Sequence, residues 1–159
     1  MKIRSSALGF TLMELILVIV LLSILSLFAV SRFMGSSSFS AYTLQERVIS
    51  VIRQVQVNRM QSNVASPDNN FRLQVSSSCI GSVAACALTG STQDARSDVV
   101  IDKSAKFSVI SGAANTINFN LLGNPVSGAV NILIEDKHGR SRCQVEINSQ
   151  GYVSKGTCS

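Results

Sequence analysis

The chain has 159 residues and a formal charge of +5, with 46% apolar and 14% charged residues. That length supports one domain with a modest core plus one long helix. The basic excess is too small to argue alone for a nucleic-acid partner, and no phosphate-binding loop, dinucleotide fingerprint or zinc-protease motif occurs.

Residues 1–9 form a short basic leader that carries Lys2 and Arg4 and ends on Gly9. Phe10 follows at once, and from 15 to 30 there is no charged residue. A secretory signal places its small-residue cleavage site after the apolar run. Here the small-residue junction precedes it, so cleavage would leave the apolar segment on the mature chain. Loss of Lys2 and Arg4 with the leader would lower the side-chain charge from +5 to +3. Both cations precede the apolar run and only Arg32 follows it closely, which predicts a cytoplasmic leader and a periplasmic remainder. Glu14 sits at the mouth of the run, where unpaired burial in hydrocarbon would cost roughly 2–3 kcal/mol. Two readings of Glu14 are open. It complements the positive end of a helix near the headgroups, or it awaits a cationic partner such as the new α-amine of Phe10.

The stretch Gly9-Phe10-Thr11-Leu12-Met13-Glu14 with its apolar continuation resembles the class III signal of type IV pilins and pseudopilins. The resemblance implies cleavage after Gly9 by a membrane prepilin peptidase and N-methylation of Phe10. It also implies that Glu14 meets the amino terminus of a neighbouring subunit during assembly.

One helix is expected over 10–65, spanning about 80 Å if unbroken. Its part 10–31 is apolar all round, as a membrane or filament-core segment would be. Gly35-Ser36-Ser37-Ser38 is its weakest stretch. Ser23, Ser26 and Ser31 stand where many pilins carry a helix-breaking Pro or Gly. After Ala41 the pattern turns amphipathic: Leu44, Val48, Val51, Ile52 and Val55 recur at helical spacing, with Glu46, Arg53, Gln54, Gln56 and Arg59 assigned to the polar side. The apolar stripe predicts packing on a sheet. Pro67-Asp68 falls in the segment that ends the helix.

Residues 66–159 read as a β-domain. Strands are expected at 71–75, 99–101, 107–110, 117–121, 130–134 and 143–147, divided by turns at Ser111-Gly112, Gly123-Asn124-Pro125, Lys137-His138-Gly139 and Ser149-Gln150-Gly151. The last strands read as an antiparallel meander, and the fold class as α+β, a long helix on an antiparallel sheet. Four cysteines fit an oxidising compartment. Three pairings exist, and local geometry favours Cys79–Cys86, closing a small loop, with Cys143–Cys158 across a hairpin. A turn at 149–151 places position 157 about opposite Cys143. A zinc site is the alternative, but no C-x-x-C pair is present and His138 is the single histidine.

The order 117–121, Gly123-Asn124, 130–135 and Gly139-Arg140-Ser141-Arg142, after an amphipathic helix, is similar to the GspH/FimT-type minor pilins and pseudopilins. Ser31-Arg32-Phe33 and 49–63 resemble the mannose-sensitive haemagglutinin (MSHA) group. What this implies is a type IV pilin-like fold and a non-enzymatic minor pilin that contributes to pilus assembly and surface attachment. Its partners would be other pilin subunits through the N-terminal helix, the peptidase, and the inner membrane before assembly. No cofactor or metal is implied. Two other functions share these features: an H-type minor pseudopilin of type II secretion, and a DNA-binding pilin of natural transformation. For the latter, Lys137, Arg140 and Arg142 are the candidate phosphate contacts. Some members of the group bind DNA through a Gly-Arg-x-Arg element on the final strand. Its counterpart here, Gly151-Tyr152-Val153-Ser154, lacks both arginines, and no aromatic residue is interleaved at 137–142 to stack bases. No serine or cysteine nucleophile is placed with His138, so no catalytic residue is expected.

Overall fold

A computed structural model of the chain describes residues 11–33, 40–112 and 114–159, with side chains at 11–26, 41–112 and 114–159. It is an α+β structure of two separate units, Met1–Ser36 and Ser37–Ser159. Of the helix expected over 10–65, the structure describes α1 (Leu12–Phe33) and α2 (Ser40–Gln61), the second ending at Gln61 and not at 65. Residues 34–39, which include the Gly-Ser stretch, lie outside the described residues.

In the first unit, Thr11 starts α1. Its carbonyl accepts the Leu15 N–H at 3.2 Å, and its hydroxyl accepts the Glu14 N–H at 3.2 Å. A threonine followed three residues later by glutamate is the sequence signature of a capped helix start. The large apolar side chains from Leu12 to Leu25 are 44–77% exposed, so nothing in the unit covers them. Ser23 and Ser26 donate their hydroxyls to the carbonyls of Ile19 and Leu22, both at 2.7 Å. Both serine hydroxyls are thus satisfied within the helix itself. Among the described residues no helix is long and apolar enough to cross a membrane. The side chains of α1 are described only as far as Ser26, whereas the uncharged run of sequence continues to 30.

The described residues of the second unit form eight strands in two four-stranded antiparallel sheets. One has the order β3-β2-β1-β5, built from β1 (Arg72–Val75), β2 (Cys79–Ser82), β3 (Val99–Ile101) and β5 (Thr116–Asn118). The other has the order β4-β6-β7-β8, with β4 (Ala105–Ser111), β6 (Val130–Asp136), β7 (Arg142–Ile147) and β8 (Val153–Cys158). Leu44, Val48, Ile52 and Val55 of α2 are buried against both sheets, together with Leu73, Ile80, Phe107, Ile117, Ile132 and Val145. Strict alternation of buried and half-buried residues along β6 is the period of a strand with one face on the core.

Three further corrections concern the strands. The loop expected between Cys79 and Cys86 is instead β2 followed by a helical turn, α3 (Val83–Cys86). Ser82 caps that turn by accepting the Ala85 N–H at 3.1 Å, and Ile80 and Ala85 are fully buried. The strand expected to Leu121 ends at Asn118; Phe119 makes only an isolated bridge to Pro125, and Leu121 is exposed. The expected single sheet is two.

Candidate functional site

Gly9 and Phe10 lie outside the described residues. Glu14 is described, in the first turn of α1 and exposed. Its backbone N–H donates to the Thr11 hydroxyl, and Glu14 lines one shallow hollow with Leu17, Val18, Leu21 and Leu22. This places a single carboxylate on an otherwise apolar stretch of α1, in its first turn.

Both expected disulfides are formed, Cys79–Cys86 and Cys143–Cys158, and no described cysteine is free. All four thiols being so used, no thiolate remains to ligate a metal. The pairing of Cys143 depends on a β-bulge. Val145 faces Lys155 and Ile147 faces Val153, in the register that the 149–151 turn dictates, but one extra residue on β8 brings Cys158 opposite Cys143. The turn alone places position 157 opposite Cys143; the bulge moves Cys158, its expected disulfide partner, into that place. Gly156 makes the bulge possible, because a Cβ there would lie 2.8 Å from the Gln144 Cβ. Gln45 of α2 donates to the Gln144 and Gly156 carbonyls at 2.7 and 3.3 Å, giving the bulge the partners its ladder lost.

The basic turn between β6 and β7 holds Lys137, His138 and Arg140, all exposed. Arg142 stands opposite Glu135 on the neighbouring strand, with Nε 2.9 Å from the Glu135 carboxylate. The structure thus spends one of the three candidate phosphate contacts on an internal cross-strand ion pair. At the base of the turn, the buried Asp136 Oδ2 and Ser141 Oγ have no hydrogen-bond partner among the described residues.

Sequence reading missed the buried polar side chains of α2. Gln56 and Arg59 were assigned to the polar side, yet they are 6% and 3% exposed. Gln56 Nε2 donates to the carbonyls of Gly123 and Gly151, each at 2.8 Å, tying two loops together. Arg59 donates to the Phe119 carbonyl at 3.0 Å, the Val64 carbonyl at 2.8 Å and the Ser62 hydroxyl at 2.9 Å. Carbonyl oxygens here replace a counter-ion and hold the chain that leaves the helix. The signal was present: Gln56 is four residues after Ile52, and Arg59 four after Val55, so both continue the buried stripe.

A half-buried ion pair lies near β3. Arg96 clamps Asp98 with both carboxylate oxygens at 2.8 Å, and Asp98 is buried. Burial alone would raise the Asp98 pKa; hydrogen bonds from Arg96 and Ser82 outweigh it and hold the carboxyl below its ordinary value. A depressed folded-state pKa stabilises the fold above the unfolded value of about 3.9 and loses that contribution as pH falls through the folded value. Asp98→Asn should therefore be less stable than wild type at pH 7. The gap in urea midpoint should shrink as pH drops below about 4; a constant gap would mean the pair contributes nothing to acid sensitivity.

Comparison with family models, with curated proteins and with solved structures finds no match for this chain.

Proposed function

We propose that this chain is a minor subunit of a type IV pilin-like filament, of the GspH/FimT type and of the MSHA group, and that it is not an enzyme. One observation carries the reading: Gly9, Phe10, Thr11 and Glu14 stand in a single register directly ahead of an uncharged run. The peptidase would cut after Gly9, the Phe10 amine would be methylated, and Glu14 would pair with such an amine on a neighbouring subunit. Helix α1 fits the task, since its apolar side chains have no cover within their unit and its described serines satisfy themselves. The disulfides suit a domain held outside the cytoplasm. Leu122, Val126 and Tyr152 are 63–74% exposed on the second unit, the kind of surface that neighbouring subunits cover.

Glu14→Ala is the test of this role. Removing a carboxylate that is costly in hydrocarbon should leave membrane insertion intact, while docking loses its counter-charge. Incorporation into sheared filaments, quantified by immunoblot against the membrane pool, should fall about tenfold, the equivalent of about 1.4 kcal/mol. Wild-type incorporation would remove the pairing role.

A further inference from the structure

Helix α2 lies against the outer strands of both sheets and treats them differently. On β8 it supplies donors: Arg53 Nη2 bonds the Val153 carbonyl at 2.8 Å, and Gln45 bonds Gly156 at 3.3 Å. On β3 it supplies none. The Asp98 carbonyl accepts the Ser82 N–H at 3.0 Å, and Val100 faces Ile80. Backbone direction alternates residue by residue in an antiparallel ladder, so Val99 and Ile101 turn their N–H and C=O groups away from β2. Among the described residues no hydrogen bond reaches those outward groups, and β3 has no second neighbour strand.

Beside this open edge is a hollow of about 250 Å³, walled by Arg47, Ser50 and Val51 of α2 and by Arg96, Ser97 and Val99. It contains two arginines and two hydroxyls but no carboxylate. Arg96 is already held by Asp98; Arg47 makes no ion pair or hydrogen bond among the described residues. A smaller adjoining hollow of about 140 Å³ runs past Ile101 and has Asp94 on its wall.

We propose that the β3 edge is a docking site for an extended acidic peptide segment of another protein, added as an antiparallel strand with one carboxylate against Arg47. The backbone groups of Val99 and Ile101 supply the strand pairing, and Arg47 supplies the selection. Three residues of edge give few hydrogen bonds, so the carboxylate decides whether binding is measurable. Asp94 disfavours a second acid in the smaller hollow, which limits the segment to one acidic position near Arg47.

Random nonapeptides displayed on phage, panned against the full-length protein in detergent micelles, test this directly. Enriched peptides should carry one Asp or Glu among β-branched residues and should slow exchange of the Val99 and Ile101 amides. Arg47→Glu changes an exposed side chain outside the core and should weaken the same peptides about tenfold or more. Val99→Pro removes an outward N–H without touching the β2 ladder and should weaken them likewise. No enrichment over empty micelles, binding undiminished in Arg47→Glu, or unchanged amide exchange would each overturn the proposal. So would protection of both amides by self-association in the absence of peptide.

Discussion

Gly9→Val should yield a membrane-held precursor, heavier than the mature chain by the mass of residues 1–9, with little or no mature product. A peptidase that cuts here must bring the backbone of residue 9 close to its catalytic groups, and a branched Cβ obstructs that approach. α1 begins at Leu12 behind the Thr11 cap, so cutting the 9–10 bond leaves that helix and its cap whole. The variant should insert normally, since residues 12–30 are unchanged. Mature Phe10 termini at ordinary yield in Gly9→Val would remove the class III assignment.

Cys158→Ser should lower the melting temperature of the full chain in micelles by roughly 10 °C, and by more than Cys86→Ser does. Cys143–Cys158 closes a separation of 15 residues, worth about 3 kcal/mol in the chain-entropy account, against about 2.5 kcal/mol for the separation of 7 in Cys79–Cys86. The larger difference lies in what each bond holds. β8 is an outer strand whose ladder is broken by the bulge at Gly156, so without the cross-link its C-terminal end is tied mainly by the Arg142–Ser159 backbone pair and by Gln45. Cys86 closes α3, which keeps its Ser82 cap and its buried Ala85 when the bond is lost. Equal losses, or a greater loss from Cys86→Ser, would mean that the β2–α3 corner and not the β8 edge limits stability.

The parts of this fold that were legible in the sequence are those that rest on local periodicity. Leu44, Val48, Ile52 and Val55 gave the buried stripe of α2, and the alternation of Val130, Ile132 and Ile134 gave β6. Gly151, at φ 81° and with the Gly123 carbonyl 2.4 Å from where a Cβ would sit, is the turn glycine that set the β7–β8 register. What failed needed longer-range information. The stripe was sorted by residue type, so Gln56 and Arg59 were turned outward although their positions continue it; only the carbonyls of distant loops explain their burial. β2 was hidden because Ile80-Gly81-Ser82 sits inside a short cysteine loop. The division into two sheets depends on β1 pairing with β5 across some forty residues of chain, a choice that no local pattern encodes. The one-residue bulge shifted the register opposite Cys143 from 157 to 158, while the expected pairing with Cys158 held. The candidate assembly site is the opposite case, because Gly9, Phe10 and Glu14 were read wholly from residue order, and the structure adds only the capped helix start on which Glu14 sits.

Intact-mass and N-terminal fragment measurement of the wild-type protein, expressed with a prepilin peptidase and extracted from membranes, tests the central claim most directly. The account predicts a chain that begins at Phe10, carries one added methyl group on its amine and contains two disulfides. A chain that retains Met1, or one cut after the apolar run so that α1 is lost, would contradict it.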